Sequence, residues 1–238
     1  QKKFGTERIE EILLEIFPTA KVARMDIDSV RGKHAHDQLI QQFEQKKIDI
    51  LVGTQMVVKG LDFENVELVG ILDADGILTF ADFRVNERAF QLMEQVSGRA
   101  GRKNNSGKVI IQTMQVIHPV IQHVQLHDYQ VMYDEEITKR QQFEYPPLSR
   151  IIKLTFKHKM KEVVHDAAVI FANALQNRYR SFITGPSEPI INRVRNQYLM
   201  EMLLKLPRNK NLIEQCKKDI LFQIAVLHHE KRYRSVVV

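Results

Sequence analysis

Three short apolar segments constrain the fold of the first half of this chain more than any other feature. They are Ile48–Gly53, Val66–Leu72 and Val109–Thr113, each a nearly continuous apolar run. Runs of this kind are typical of strands that are covered on both faces of a parallel sheet. Helical spacing occurs between them, and it predicts a helix over about Asp82–Arg102. The alternation of strands and helices predicts an α/β layered fold with active loops at the carboxyl ends of the strands.

A double proline separates this layered pattern from a second one. The helical pattern from His118 to Phe143 stops before Tyr145-Pro146-Pro147, which forces an extended link. The predicted elements beyond the link are a strand, a helix, two strands, a helix and a strand: Ile151–Phe156, about 161–178, Phe182–Thr184, Tyr198–Leu206, about 211–228 and Arg234–Val238. This βαββαβ order predicts a small ferredoxin-like α+β domain with two helices on one face of its sheet. We therefore expect a first domain over residues 1–117, a helical connector over 118–147 and a second domain over 148–238.

Positive charge is concentrated in the second domain. The whole chain has a net charge of +6, but residues 150–238 hold 17 Lys and Arg against 7 Asp and Glu. This charge suits a polyanionic partner such as DNA, and a solvated basic surface explains it equally well. Arg193, Arg195 and Tyr198 surround a predicted turn, where arginines can neutralise phosphate and a ring can stack on a base. A basic hairpin with a packed tyrosine remains the structural alternative.

Composition and absent motifs exclude several classes of protein. The chain has one cysteine, Cys216, so neither an internal disulfide nor a multi-cysteine zinc site is expected. No apolar run reaches the roughly 18 residues of a transmembrane helix, and the N-terminus enters a charged helical pattern without a signal peptide. We therefore expect a cytoplasmic protein. No G-x-x-x-x-G-K-[ST] phosphate loop occurs, so a self-sufficient nucleotide enzyme is not expected.

The first candidate functional segment begins where the first of the three apolar runs ends. It comprises Gly53-Thr54-Gln55-Met56 and Lys59-Gly60-Leu61-Asp62-Phe63. Gly53 and Gly60 permit tight turns, and free backbone amides could contact a phosphate. Thr54 and Gln55 offer further hydrogen-bonding groups, and Asp62 could bind a ribose hydroxyl. A purely structural loop accounts for the same residues.

The second candidate segment is Gln95-Val96-Ser97-Gly98-Arg99-Ala100-Gly101-Arg102. If it is helical, Gln95, Arg99 and Arg102 fall at i, i+4 and i+7 on one face. Each of its two glycines would cost about 1 kcal/mol relative to alanine, and close approach of another surface to the backbone would offset this cost. Two guanidinium groups on one face suit a triphosphate across a cleft. A glycine-weakened helix end with exposed arginines is the alternative.

Together the two segments resemble motifs V and VI of the superfamily 2 helicases. The first reads G-T-Q-M…K-G-x-D-F, and Q-x-x-G-R-x-G-R follows about 40 residues later. Further segments resemble the primosomal protein N′ (PriA) family of bacterial replication-restart helicases: Gly5-Thr6-Glu7-Arg8, Leu72-Asp73-Ala74-Asp75, Asp82-Phe83-Arg84 with Glu87-Arg88, Tyr145-Pro146-Pro147, and Gly185-Pro186 with Arg193-Val194-Arg195. The resemblance runs over essentially the whole chain.

This resemblance implies a fold and an activity. It implies that residues 1–117 form a RecA-like second lobe of a bacterial, nucleoid-associated, ATP-dependent 3′-to-5′ DNA helicase that acts in replication restart. ATP and Mg²⁺ would be held mainly by a first lobe absent from this chain, and zinc by an upstream module of the family. The chain alone is therefore expected to lack ATPase activity. Expected partners are single-stranded and forked DNA, single-stranded DNA-binding protein and other primosome proteins.

The resemblance also implies roles for individual residues. Three would act on the triphosphate: Arg102 on the γ-phosphate, Arg99 beside it and Gln95 in support. Two would contact the nucleotide or couple it to DNA: Gly60 and Asp62. Six would bind DNA: Thr54, Gln55, Lys59, Arg193, Arg195 and Tyr198. No metal ligands are expected in this chain.

Other polar residues have structural interpretations. Asp73 and Asp75 follow a predicted strand, where a structural or DNA-proximal role outweighs catalysis. Arg84 and Arg88 could equally pair locally or face DNA. Asp134-Glu135-Glu136 lies in a charged helical stretch and is predicted to be a solvated helix face rather than a magnesium site. Two hypotheses follow for the chain: a motor-enzyme fragment, or a binding module in which the α/β lobe is only a scaffold.

Overall fold

The chain folds into two compact units. The computed structural model describes residues 5–26, 33–54, 66–80, 82–101 and 107–238. Contacts divide the chain into Gln1–Asp134, called the lobe below, and Glu135–Val238, called the basic domain. None of the helices in these described ranges has both the length and the apolarity that a bilayer span requires.

Helices and strands alternate along the lobe. In chain order they are α1 (Thr6–Ile16), β1 (Val22–Met25), α2 (Lys33–Glu44), β2 (Ile50–Gly53), β3 (Leu68–Ile71), α3 (Ala74–Leu78), α4 (Val85–Ser97), β4 (Lys108–Ile111), α5 (Pro119–Leu126) and α6 (Tyr129–Gln142), which continues into the basic domain. Strand β1 pairs with β2, and β3 pairs with β4, both in parallel. The predicted α/β fold with parallel strands is confirmed.

Several details of the lobe differ from the sequence prediction. Helix α3 was not predicted, and the predicted helix from His118 to Phe143 is two helices. His127 separates them because it adopts the left-handed conformation, with φ of 53°, that ends α5. The prediction that both faces of the strands are buried is wrong for β3 and β4, because Leu68 and Ile110 are exposed. The described helices α4 and α5 cover only the face to which Ile71 contributes.

Two apolar clusters stabilise the lobe. In the larger one, Ile71 packs with Phe90 and Met93 of α4 and with Val120 and Val124 of α5. Helical spacing on α4 and α5 brings these side chains to one face of each helix. The larger cluster therefore holds α4 against the β3–β4 pair.

The smaller cluster surrounds Met25, which is fully buried at the end of β1. Leu51 of β2 and Val66 pack against it, together with side chains of α2. Val66 comes just before β3. The smaller cluster therefore links the β1–β2 pair to the start of β3.

The basic domain follows the predicted order of strands and helices as far as α8, with one additional short strand, β7. Its elements are β5 (Ser149–His158), α7 (Lys161–Tyr179), a 3-10 turn (Arg180–Phe182), β6 (Ile183–Ser187), the short β7 (Arg193–Val194), β8 (Gln197–Pro207) and α8 (Lys210–His229). The antiparallel sheet has the order β5-β8-β6, and β7 pairs with β8. The predicted final strand is reduced to one bridge between Lys157 and Val237. Residues 231–235 turn instead, because Tyr233 and Val236 pack into the core.

Alternating burial along β8 builds the core of the basic domain. Met200, Met202, Leu204 and Leu206 point to the same face of the sheet and are buried against α7 and α8. Cys216 of α8 joins them, and burial raises the pKa of its thiol to about 11. Cys216 therefore acts as a small core residue, as its sequence context suggests.

A carboxylate on α8 ties the two helices of the basic domain together. Asp219 Oδ2 accepts hydrogen bonds from the Tyr179 hydroxyl at 2.6 Å and from Arg178 Nη1 at 2.9 Å, while Gln215 Nε2 donates to Oδ1 at 2.8 Å. The hydrogen bond from Tyr179 is the main reason that the pKa of Asp219 is lowered. Burial, followed by this bond to Asp219, raises the pKa of Tyr179 to about 12.

The Tyr179 hydroxyl should therefore stabilise the basic domain. Tyr179→Phe is expected to lower the free energy of unfolding by about 1–3 kcal/mol, because a donor to a charged acceptor is lost. Urea denaturation measures this. Tyr198→Phe is the control, since the structure gives its hydroxyl no partner in the described residues; equal losses in the two variants would contradict the assignment.

The raised pKa of Tyr179 also sets a pH dependence. Its folded pKa lies above the unfolded value of about 10, so the stabilisation is complete below pH ~10 and is lost as the pH rises through about 12. Tyrosinate absorbance should accordingly show one tyrosine that ionises later in the native protein than in urea, and Tyr179→Phe should remove that late transition.

Candidate functional site

The first candidate segment begins at an exposed strand end. Strand β2 ends at Gly53, and Thr54 follows it in an exposed bend. Because Met25 pairs with Gly53, the residues after β1 and after β2 lie at the same edge of this sheet. Thr54 is therefore placed where a ligand can reach it. Gln55, Lys59, Gly60 and Asp62 lie outside the described residues.

A charged network that the sequence did not predict occupies the same edge. Thr6 Oγ1 donates a hydrogen bond to Asp26 Oδ2 at 2.5 Å, which joins the start of α1 to the end of β1. The guanidinium of Arg24 lies 3.4 Å from Asp26, 3.7 Å from Glu10 and 3.8 Å from Glu7. Thr6 and Glu7 belong to the Gly5-Thr6-Glu7-Arg8 segment, which is part of the family resemblance. These contacts give the segment a structural role beside Thr54.

The second candidate segment is a helix end followed by turns, so the predicted helix through Arg102 is wrong. Helix α4 stops at Ser97, Arg99 N–H donates to the Val96 carbonyl at 3.0 Å, and Gly101 adopts a φ of 72°. Left-handed φ angles disfavour side chains, which explains a glycine at this position. The i, i+4, i+7 relation to Gln95 is therefore lost after Ser97.

The residues proposed to act on the triphosphate are only partly described. Gln95 is exposed on the last turn of α4, and Arg99 is half-buried in the turn that follows. Arg102 lies outside the described residues. The described structure therefore places Gln95 and Arg99 on one short segment, but not on one face of a continuous helix.

Backbone contacts fix this arginine-bearing turn to the strands. Gly101 N–H donates to the Val66 carbonyl at 2.8 Å. A Cβ atom on Gly107 would collide with the backbone of Ala100 and Gly101. The sequence predicted that another surface approaches the backbone of the second candidate segment closely. Gly107 of the same chain makes this approach. The turn lies at the amino end of β3 rather than at a carboxyl end, because α4 runs back along the strands.

Val66 connects the two candidate segments. Its carbonyl accepts the bond from Gly101, and its side chain packs against Met25 together with Leu51 of β2. Strand β2 leads directly to Thr54. The backbone of Val66 therefore contacts the arginine-bearing turn, and its side chain belongs to the same apolar cluster as Leu51 of β2, the strand that precedes Thr54.

The aspartates after β3 have structural partners. Asp73 caps α3 by accepting from Gly76 N–H at 3.1 Å. Asp75 accepts from the Met114 N–H at 2.8 Å and from the Thr113 hydroxyl at 2.7 Å, and the Met114 bond is the main reason that its pKa is lowered. Asp73 therefore caps the helix that follows β3, and Asp75 joins this helix to the residues after β4.

Other charged candidates also pair within the lobe. Arg84 Nη2 lies 3.2 Å from Glu87 Oε1, and Arg88 Nη1 contacts Asp82 at 2.5 Å, which favours local pairing for both arginines. The interpretation of Asp134-Glu135-Glu136 as a solvated face is wrong for Glu136, which is buried.

The predicted basic turn of the basic domain is a two-residue hairpin loop. Arg195 and Asn196 have φ angles of 48° and 62°, and Val194 pairs with Gln197 on either side of them. Positive φ at both positions is typical of the type I′ turns that suit hairpins. Arg193 donates to the Asn196 side chain, and its Cζ lies 4.9 Å from the centre of the Tyr198 ring. Arg193 therefore covers one face of the ring on which a base was expected to stack.

Comparisons with known proteins agree with these two units. Residues 3–104 match the family model "Helicase conserved C-terminal domain", and residues 141–234 match "Primosomal protein N C-terminal domain". Replication restart protein PriA of Bacillus subtilis (strain 168) is 40% identical over 230 residues, which cover 96% of this chain and 28% of the relative. PriA of Treponema pallidum (strain Nichols) is 41% identical over 206 residues, 85% of this chain and 31% of the relative.

A third relative extends the comparison. PriA of Synechocystis sp. (strain ATCC 27184 / PCC 6803 / Kazusa) is 40% identical over 207 residues, 85% of this chain and 25% of the relative. The chain therefore spans about 25–31% of the length of these curated relatives.

The contacts of Gly101 and Gly107 predict a graded response to alanine. Gly101→Ala should lower the free energy of unfolding of the lobe by about 1–2 kcal/mol, because alanine is strained at this φ. Gly107→Ala should cost about 1–3 kcal/mol or more, because its Cβ meets backbone that cannot move aside easily. Urea denaturation measures both. Gly70→Ala is the matched control, since an added Cβ there has no atom within 4 Å; a similar loss in all three would refute this explanation.

Proposed function

Because this chain belongs to the PriA family of replication restart proteins, we propose that it forms the second motor lobe and the C-terminal DNA-binding domain of an ATP-dependent DNA helicase. The helicase moves 3′ to 5′ and acts in replication restart, where it assembles the primosome at stalled forks. The match of residues 3–104 to a helicase C-terminal domain supports the motor role.

One contact carries this proposal: the hydrogen bond between Gly101 and Val66. A motor must transmit changes at the nucleotide to the DNA, and transmission needs a physically connected element that both sites bias. The Gly101 turn adjoins the arginines assigned to the triphosphate. Val66 packs against Met25 beside the strand that leads to Thr54, which is assigned to DNA. The contact therefore supports coupling between the two assigned sites.

The proposed residue roles are those that the family resemblance implies. Three residues act on the triphosphate: Arg102 on the γ-phosphate, Arg99 beside it and Gln95 in support. Gly60 and Asp62 contact the nucleotide or couple it to DNA. Guanidinium groups suit this task because they stay charged and offer several donors to phosphate oxygens.

The nucleotide itself is bound mainly by another lobe. ATP and Mg²⁺ need a phosphate loop and an acidic strand end, and the chain contains no G-x-x-x-x-G-K-[ST] sequence. The described residues contain no group of three His, Cys, Asp or Glu side chains that could hold a metal ion. The zinc implied by the family resemblance is assigned to an upstream module. The proposal therefore assigns the retention of ATP to the other lobe and the reacting arginines to this chain.

DNA is the partner of both units. In the lobe the DNA-binding residues are Thr54, Gln55 and Lys59, and in the basic domain they are Arg193, Arg195 and Tyr198. The excess of Lys and Arg in residues 150–238 supports binding of single-stranded and forked DNA. Single-stranded DNA-binding protein and other primosome proteins are the proposed protein partners.

The assignment of Arg102 predicts a selective loss of catalysis. In the intact helicase, Arg102→Ala should lower DNA-stimulated ATP turnover by a factor of about 10³, because the charge on the transferred phosphoryl group is no longer stabilised. DNA affinity should persist. Steady-state ATPase assays and fluorescence anisotropy measure the two quantities.

Arg232→Ala is the control for this test, since Arg232 pairs with Asp166 at 2.6 Å in the basic domain. Nearly unchanged turnover in Arg102→Ala would favour the alternative in which the lobe is only a scaffold for DNA binding.

The 238-residue chain by itself should bind DNA without hydrolysing ATP. Binding to single-stranded and forked DNA should weaken steeply as salt rises, since each phosphate contact releases counterions. Anisotropy titrations at several salt concentrations measure the slope, and a phosphate-release assay measures turnover. Measurable DNA-stimulated hydrolysis by the purified chain would overturn the assignment of ATP binding to another lobe.

A further inference from the structure

An apolar tip projects from the basic domain between β6 and β7. Ile190 is 88% exposed and Ile191 is 67% exposed, and Pro189 precedes them. No other large apolar side chain in the described part of the chain is more exposed than Ile190. Exposure of a large apolar side chain to water is unfavourable, so two neighbouring exposed ones indicate a contact surface.

The base of this tip is closed by hydrogen bonds. Asn192 Nδ2 donates to Glu188 Oε2 at 3.0 Å, which joins the residues on either side of Pro189-Ile190-Ile191. Lys161 Nζ lies 2.7 Å from Glu188 Oε1 and is the main reason that the pKa of Glu188 is lowered. Leu199 N–H donates to the Asn192 carbonyl at 2.8 Å, which fixes the segment to β8. The tip is therefore held in one shape before it meets a partner.

Two arginines lie directly after the tip. Arg193 is held by Asn196 and by the Tyr198 ring, and Arg195 projects from the type I′ turn. No ion pair joins Arg195 to a carboxylate in the described residues. Arg195 lies four positions after Ile191 in the sequence, a reach of at most about 14 Å. That distance corresponds to roughly four nucleotides along one strand of B-form DNA.

The combination of apolar tip and arginines selects one kind of partner. Phosphates attract the arginines, while isoleucines need an apolar surface, which DNA offers chiefly on the faces of its bases. Inside a continuous duplex an apolar side chain must unstack a base step to reach such a face, at a free-energy cost, whereas the last base pair at a fork junction already exposes one.

We infer that Ile190 and Ile191 pack against the terminal base pair of a fork junction while Arg195 contacts the adjacent phosphate. Arg193 keeps the hairpin rigid and adds positive charge. The tip thereby gives the basic domain a preference for forks over continuous duplex. This inference rests on the proposed function, since it requires that the basic domain bind DNA.

Binding of three DNAs to the full 238-residue chain tests the inference. The DNAs are a fork, a continuous duplex and a single strand, and the fork carries 2-aminopurine in its junction base pair. Ile190→Ser with Ile191→Ser removes the apolar tip and keeps the charge. Arg195→Asn removes the charge and keeps a residue that tolerates positive φ. Leu221→Ser with Phe222→Ser on α8 is the matched control, because these neighbouring side chains are 67% and 63% exposed.

The double isoleucine variant should lose about tenfold in fork affinity, bringing it to the duplex value, with the salt slope unchanged. Binding of the parent chain to the fork should change the fluorescence of the 2-aminopurine in the junction base pair. The double isoleucine variant should abolish this change. Arg195→Asn should weaken binding to all three DNAs alike and reduce the salt slope by about one. The control pair should bind like the parent chain.

Three results would overturn the inference: no fork preference in the parent chain, unchanged fork preference without the isoleucines, or an equal loss in the control pair. If the double isoleucine variant lost affinity equally for all three DNAs, a contact specific to the junction would also be excluded. If the parent chain bound none of the DNAs, the proposed DNA-binding function itself would fail. Binding without fork preference leaves that function intact and removes only the role of the tip.

Discussion

The hydrogen bond from Gly101 N–H to the Val66 carbonyl is the contact on which the candidate motor site depends. It fixes the turn that carries Arg99 to the backbone just before β3. Gly107 reinforces it, since its missing side chain lets the two backbones approach closely. The second glycine of Q-x-x-G-R-x-G-R, Gly101, thus has a physical reason that does not involve a helix interior. It allows a sharp turn that rests against neighbouring backbone, and this contact supports the turn that carries Arg99.

The charged residues of this chain separate into those paired by the fold and those left exposed to a partner. Asp73 caps α3, Asp75 joins α3 to the residues after β4, and Arg84 and Arg88 pair with carboxylates of their own segment. Breaking such a local pair to bind a ligand would offset part of the free energy gained. Arg195 differs, because the described residues give it no carboxylate partner. Local pairing therefore separates structural charges from candidate binding charges better than charge counts do.

Much of the fold could be predicted because periodicity reports burial directly. The alternation along β8 and the helical spacing on α7 each specify one buried face, and both elements agree with prediction to within about a residue or two. Helix α4 was predicted too long, because the spacing of Gln95, Arg99 and Arg102 suggested a helix through Arg102, whereas the turn is imposed by Gly101 and its contact with Val66. The Thr6–Asp26 bond was missed for a similar reason. It joins residues 20 positions apart, and no local pattern reports such a contact.

The site residues were predictable by identity but not by geometry. A sequence motif shows which side chains are present. Their position here depends on a backbone hydrogen bond, and any residue other than proline can donate one, so the sequence does not reveal it. The arginine-bearing turn lies at the amino end of β3, although parallel strands favour sites at their carboxyl ends. Its place follows from the direction of α4, which starts near the carboxyl ends and returns along the strands. An arginine that serves a nucleotide bound by a neighbouring lobe need not lie at its own lobe's carboxyl edge, since it must reach outward rather than enclose a ligand.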